Sequence, residues 1–233
     1  MNYGIIAAGE GSRLISEGVQ TPKPLVRLNG EALLDRLIRI FIANQAESIS
    51  IIINKEMIAV QEHLSRLSLP VPLHVTVKST PSSLHSFYEL MPYLGNEKFC
   101  VTTVDTIFRE PDFASYIEAF EKSSGQGLMA VTSFIDDEKP LYVETGENSC
   151  ITAFKDQFKE GMQYISGGIY GLTPVVFPTL KRCLENGIHR MRNFQREMIA
   201  DRILLLSYPF PKIVDVDHAG DIRKAEDFLR DDL

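Results

Sequence analysis

The chain is short of basic residues. Its 24 lysines and arginines are outnumbered by 31 aspartates and glutamates, leaving a formal net charge of −7 over 233 residues. A general nucleic-acid binder normally presents a basic face, so no nucleic-acid partner is expected. Small anionic ligands are not excluded, because a local group of cations can override the global sign. Cysteine is scarce too. Cys100, Cys150 and Cys183 are far apart and odd in number, which excludes a disulfide framework and metal-ligand spacing. They read as small, partly buried thiols. His63, His74, His85 and His218 also lack ligand spacing, so no zinc site is expected. No apolar run approaches the ~20 residues of a membrane span. The N-terminus enters an apolar segment without a basic leader or cleavage site, so neither a signal peptide nor a membrane partner is expected. The expected compartment is a reducing cytoplasm.

What is present is ordinary for a globular protein, with 44% hydrophobic and 24% charged residues. A chain of this length can bury roughly 70% of its unfolded surface, so it needs no disulfide or structural metal. Apolar runs of strand length alternate with helical patterns. Strands are expected at Tyr3–Ala7, Ser48–Ile53, Leu73–Val77, Lys98–Val104 and Leu128–Ser133. Helices are expected at Ala32–Asn44, Lys55–Leu67, Ser83–Leu94 and Asp112–Lys122. This alternation with short connections calls for a largely parallel sheet covered by helices on both faces. From about residue 134 the pattern changes. Leu141–Glu144, Cys150–Phe154 and Gln163–Leu172 read as strands joined by polar turns, an antiparallel extension spanning 134–172. Helices follow at Thr173–Asn186 and Asn193–Ala200, strands at Ile203–Ser207 and Lys212–Val216, and a last helix at Ala219–Arg230. With no repeat, low-complexity segment or linker in view, the expectation is one domain over residues 1–233.

The chemistry concentrates near the N-terminus. Gly4-Ile5-Ile6-Ala7-Ala8 leads into Gly9-Glu10-Gly11-Ser12-Arg13-Leu14, and Thr21-Pro22-Lys23-Pro24-Leu25-Val26 follows. Glycines after a strand let the backbone approach a ligand closely, and successive N–H groups can form an anion nest. Arg13 offers a forked donor suited to phosphate oxygens. Lys23 is a compact charge restrained by a proline on either side. No Gly-Lys-Ser/Thr follows the loop, so it is not a P-loop. Arg13 and Leu14 stand where a dinucleotide fingerprint needs its third glycine.

This N-terminal run, continued by Leu28-Asn29-Gly30-Glu31-Ala32-Leu33-Leu34, closely resembles the signature of the sugar-phosphate nucleotidyltransferases. That family comprises the nucleotide-sugar pyrophosphorylases and their cytidylyltransferase and molybdenum-cofactor relatives. The resemblance implies a three-layer α/β/α Rossmann-like fold of the glycosyltransferase-A type. It implies transfer of NMP from an NTP to a phosphorylated sugar or small phosphorylated alcohol, with release of pyrophosphate. Ala8, Gly9, Gly11 and Ser12 would then hold the triphosphate, with Arg13 and Lys23 as the catalytic cations. Oligomeric state stays open.

Nucleotidyl transfer needs charge neutralisation more than a protein nucleophile. Magnesium, or manganese in its place, is the cofactor expected, held by one or two carboxylates. Asp105 ends the run Phe99–Val104, where the family places a metal-binding aspartate, although Val104 replaces a common glycine. Ile213-Val214-Asp215-Val216-Asp217, with Asp221 and Ala225-Glu226, resembles the family's closing motif. Asp217 is the metal ligand by that alignment, with Asp215 supporting or sharing the role. Strand alternation puts both on one side. Asp221 suits the first turn of the last helix.

Ser82 and Ser83 open the helix where relatives read base and ribose, and either can contact the nucleotide or act as a plain N-cap. The relatives' Gln-Gly-Thr stretch is absent, so the base stays open. Gly167 and Gly168 resemble the glycine-containing strand beside the acceptor. Lys155 is a candidate for the acceptor phosphate. His189-Arg190-Met191-Arg192 is basic and can touch an anionic acceptor, although a solvated loop is the favoured reading. Two other functions compete: a molybdenum-cofactor guanylyltransferase-like enzyme, and a non-catalytic nucleotide-binding regulatory protein. The retained cations and carboxylates argue against the second.

Overall fold

The computed structural model describes residues 1–136 and 138–230. Asp137, inside the 134–172 stretch, and residues 231–233 lie outside the described residues. In chain order the first half comprises β1 (Asn2–Ala7), α1 (Ser12–Ser16), β2 (Arg27–Leu28), β3 (Glu31–Ala32), α2 (Leu33–Ala43), β4 (Ser48–Ile53), α3 (Ile58–Ser65), β5 (Leu73–Val77), α4 (Ser83–Leu90), β6 (Phe99–Thr103) and β7 (Thr106–Ile107). The second half comprises α5 (Glu110–Lys122), β8 (Gly127–Thr132), β9 (Tyr142–Thr145), β10 (Ile151–Lys155), β11 (Tyr164–Leu172), α6 (Phe177–Glu185), α7 (Met191–Ala200), β12 (Leu205–Phe210), β13 (Val214–Asp215) and α8 (Ala219–Arg230).

Nine strands form the central sheet in the order β10-β9-β11-β6-β1-β4-β5, with β8 beside β11 and β12 beside β8. β6, β1, β4 and β5 run parallel. Side chains alternate between the faces, as the pleat requires. Tyr3, Ile5 and Ala7 of β1 and Ile49, Ile51 and Ile53 of β4 enter one core, beneath α2, α3, α5 and α8. Ile6, Ile52 and Val101 enter the other, beneath α4, α6 and α7. The continuous apolar runs of these strands follow from burial on both faces. In the first core Tyr3 stacks on Phe41 with ring centroids 4.4 Å apart.

β11 departs from the expected separate extension. Its Ile169–Leu172 half is an antiparallel neighbour of β6, and Tyr164–Ile165 pairs with β9. On its other edge β8 pairs along both halves, with a register shift between Ser166 and Tyr170. The irregularity lets one strand change partners, as bulges do. Gly168 sits in it at φ 75°, where an added Cβ would come within 2.8 Å of Thr106 Oγ1. The expected strand Lys212–Val216 shrinks to the two residues of β13, because its partner β7 is equally short.

Two consequences are measurable by chemical denaturation. Gly168→Ala combines a left-handed backbone with a clash, so unfolding free energy should fall by roughly 2–4 kcal/mol. The second concerns pH. Arg39 donates to both oxygens of Glu110, at 2.8 Å each, and these bonds hold the Glu110 carboxyl below its ordinary pKa. The pair therefore contributes stability above the carboxyl's unfolded value and loses it as pH falls through the folded one. Both side chains lie near the surface, so the gap in stability between wild type and Arg39→Ala should be below about 1 kcal/mol. That gap should be present at neutral pH and close as pH falls through the carboxyl's folded pKa.

Candidate active site

The carboxyl ends of β1, β4, β5 and β6 open onto a cleft of about 820 Å³. Ligands of open α/β sheets bind in this position. The residues expected to hold a triphosphate converge here: Ala8, Gly9, Gly11, Ser12, Arg13 and Lys23 all line the cleft, with Ser82, Ser83, Asp105, Asp215 and Asp217. Gly11 caps α1 at φ 65°, and a Cβ there would lie 3.2 Å from Lys23 Cβ. The glycine therefore lets loop and lysine pack together. A Cβ on Gly9 would meet nothing within 4 Å, so this glycine leaves room above the loop instead.

Lys23 begins a short 3-10 turn, Lys23–Leu25, between its prolines. Its side chain is buried, and Nζ donates to Asp105 Oδ2 at 2.5 Å and Asp217 Oδ1 at 2.7 Å. Burial opposes the ammonium charge, but the two carboxylates, by charge and by hydrogen bonding, hold its pKa above the ordinary lysine value. Burial likewise pushes Asp105 upward. The charge and hydrogen bond of Lys23, helped by Thr103, override this and keep the carboxyl below its usual range. The lysine is thus held charged and aimed at the strand ends.

Asp217 comes from the C-terminal segment. Val216 N donates to Asp105 O at 3.1 Å, so a backbone bond extends the β7–β13 ladder and ties the two carboxylate segments together. Asp217 lies beyond β13, not on one strand with Asp215. Its second oxygen accepts from Arg13 Nη1 at 3.0 Å. Asp221 accepts from the backbone N–H of Asp217 and His218 at 3.2 and 2.8 Å. It therefore caps the start of α8, satisfying donors that a helix terminus leaves open. Asp215 is exposed on β13 and lines both this cleft and a second one of about 240 Å³.

The donor set fits a divalent cation. Oxygens of Asp105 and Asp217 already converge on one cation, the Lys23 ammonium. The cleft wall carries Arg13, Lys23 and Lys55 against Glu10, Glu56, Asp105, Asp215 and Asp217. With acids in excess, a triphosphate entering it needs further positive charge. No group of three or more His, Cys, Asp or Glu poised for a metal occurs among the described residues. Two carboxylates completed by phosphate oxygens and water is the usual magnesium arrangement.

Uncharged polar side chains line the rest of the cleft. Asn54, at the end of β4, accepts from Ser79 Oγ at 2.7 Å, and Thr80 and Ser86 hydroxyls are 2.6 Å apart. Thr80 opens the stretch where relatives read base and ribose; sequence reasoning missed Asn54 and Ser79. Their signal was position, immediately after the strands β4 and β5. Ser82 and Ser83 serve neither as plain caps nor alone: their hydroxyls accept the backbone N–H of Arg190 and Met191 at 3.2 and 3.3 Å. They join the cleft to the start of α7.

The acceptor candidates separate. Gly167 lines the second cleft beside Asp215 and Asp217. Gly168 packs against Thr106, and its carbonyl accepts from Thr102 Oγ1 at 3.2 Å. Lys155 is exposed at the end of β10 and lines neither cleft. The structure does not bring it to Lys23 and the carboxylates. Of the cysteines, Cys100 and Cys183 are buried and all three are free thiols. No helix among the described residues is long and apolar enough to cross a membrane.

Comparison with known proteins agrees with this geometry. The inositol-1-phosphate CTP transferase of T. maritima superposes with a TM-score of 0.79 at 16% identity, covering 98% of this chain and 97% of that one. A Bacillus anthracis protein assigned as a glucose-1-phosphate thymidylyltransferase, crystallised with a sucrose, superposes at 0.83 with 21% identity, covering 99% and 96%. At such identities the likeness establishes the fold, a mixed α/β nucleotidyltransferase architecture. Residues 4–196 match the family model of the MobA-like NTP transferase domain, which spans most of the chain and all of the site except its C-terminal acids. The chain belongs to the MobA-like NTP transferase family and is a nucleotidyltransferase.

Proposed function

We propose that the enzyme transfers NMP from an NTP to a phosphorylated sugar or small phosphorylated polyol, releasing pyrophosphate, with a divalent cation in the cleft. The observation that carries this reading is the buried Lys23 ammonium set between Asp105 and Asp217, with Arg13 on the far oxygen of Asp217. The solved structures similar to this chain are described as acting on inositol 1-phosphate and glucose 1-phosphate, which supports a cyclic phosphorylated acceptor.

The chain's own residues position and neutralise. The backbone from Ala8 to Ser12 cradles the β- and γ-phosphates, and Arg13 leaves Asp217 to bridge phosphate oxygens. Lys23 stabilises the charge that builds on the α-phosphate as the acceptor's phosphate oxygen attacks in line. The new bond joins that oxygen to the α-phosphorus, the α–β bridge breaks, and pyrophosphate carries the electron pair away. The acceptor phosphate is already ionised, so no protein base has to remove a proton. Asp105 and Asp217 would hold magnesium or manganese, which supplies positive charge to the phosphates when bound. Asn54, Ser79, Thr80, Ser82 and Ser83 face the nucleoside. Holding both reactants in line supplies the remaining acceleration by orientation.

The family description favours one second reading, guanylyl transfer to a molybdenum-cofactor precursor. Turnover confined to GTP with that acceptor would select it.

A pyrophosphate-release screen of NTPs against phosphate-monoester acceptors tests the proposal. Lys23→Ala and Asp105→Asn should each lower kcat/KM by roughly 100-fold or more, the scale of a lost transition-state contact, in proteins whose circular dichroism confirms folding. Release at the wild-type rate by both variants overturns the assignment of these roles. Chelation by EDTA should abolish release, and added magnesium or manganese should restore it. Full activity in excess EDTA refutes the metal.

A further inference from the structure

A third cleft, of about 710 Å³, lies between the segment before β9, the turn after β10 and the start of α7. Its wall carries Lys139, Arg190, Arg192 and Arg196 against Glu138 and Asp156. Lysine and arginine outnumber the acids here, unlike in the first and second clefts and in a further one lined by Glu31, Asp35 and Arg39. The other three carry an excess of acids, as does the chain.

Two of the arginines are held in place. Arg192 Nη1 and Arg196 Nη2 approach Asp156 Oδ1 at 3.0 and 2.7 Å. Arg192 Nη2 donates to Lys139 O at 2.8 Å, and Arg196 Nε to Phe154 O at 3.3 Å. Arg190 differs. Its guanidinium makes no hydrogen bond or ion pair among the described residues. Its backbone sits at φ 71°, ψ 142°, a conformation that favours glycine. Non-glycine residues persist in such strain chiefly where the site uses them. The backbone is fixed there because Arg190 N donates to Ser82 Oγ, and Ser82 lines the nucleotide cleft. Glu138 is shared with the second cleft, which in turn shares Arg13, Asp215 and Asp217 with the first.

The third cleft is thus joined to the reaction centre yet contains none of Arg13, Lys23, Asp105 or Asp217. A phosphate seated in it cannot be the one that attacks. We infer that the acceptor carries a second anionic group, a carboxylate or a further phosphate, remote from its reacting phosphate, and that Arg190 and Arg192 bind it in this cleft. The basic run that reads as a solvated loop is then a specificity element. This inference rests on the proposed nucleotidyl transfer to a small phosphate monoester.

The test is a pyrophosphate-release assay with magnesium, each NTP and matched acceptors: glucose 1-phosphate against glucuronic acid 1-phosphate, and glycerol 3-phosphate against 3-phosphoglycerate. Wild type should prefer the acidic member of the better pair by roughly tenfold or more in kcat/KM, mainly through KM, as expected for one charged hydrogen bond. Arg190→Gly suits the backbone and should keep the wild-type melting temperature or exceed it. In it the acid preference should drop about tenfold, and Arg192→Gln should reduce it too. Arg190→Glu should turn preference toward phosphoethanolamine. An acid preference that survives in both Arg190→Gly and Arg192→Gln overturns the inference. So does efficient use of neutral acceptors only, which leaves nucleotidyl transfer standing. Absence of release with every pair overturns both.

Discussion

One buried ammonium organises this molecule. Lys23 is 9% exposed, and its partners Asp105 and Asp217 are 82 and 194 residues away in sequence. Without it two carboxylates would face each other at the end of the sheet, at a cost set by repulsion in a partly dry site. With it, the N-terminal loop, the middle of the sheet and the C-terminal segment become one object. Removing Lys23 strips the mostly buried Asp105 of its counter-charge, a costly loss, whereas water screens the half-exposed Asp217. The same arrangement is chemically poised. The carboxylate oxygens that neutralise the lysine are the ones a divalent cation would use, and Arg13 is kept at the rim by Asp217 until a stronger anion competes for it.

Much of the fold was legible in the chain because burial writes a period. Ile49, Ile51 and Ile53 against Ile52 show a strand covered on both faces, and α2 repeats Leu33, Leu34, Leu37, Ile38 and Phe41 at helical spacing. The parallel half followed from that alone. What escaped has no period to read. β7 is two residues, too short for alternation, and β13 is the two-residue remnant of the longer strand expected at Lys212–Val216, yet together they place Asp217. β11 looked like part of a hairpin extension because its partner β6 is distant in sequence, and no local pattern announces the register shift in its pairing with β8 around Gly167 and Gly168.

The site divides along the same line. Gly9, Gly11, Arg13, Lys23 and Asp105 were readable because a glycine turn, a proline-flanked lysine and an acid after a strand are each unusual where they stand. Asn54 and Ser79 were not, since polar residues after strands are commonplace and only the fold brings them into one cleft. Lys155 shows the converse: a lysine after an apolar strand end is a reasonable candidate, and the sheet carries it away from the cleft. Charge also sorts itself in space. Acids gather around Lys23, and Arg190, Arg192 and Arg196 gather in the third cleft, so an acidic protein still carries a basic surface.

The bond from Val216 N to Asp105 O has a consequence for how the protein is made. On a ribosome, the glycine loop and Lys23 emerge before Asp105, and Asp217, which completes the carboxylate pair, emerges well after both. The sheet around β1 can assemble long before that. A chain interrupted just ahead of residue 217 therefore has the sheet but lacks one of the two carboxylates on Lys23, together with Ala225 and Phe228 of α8, which complete the first core.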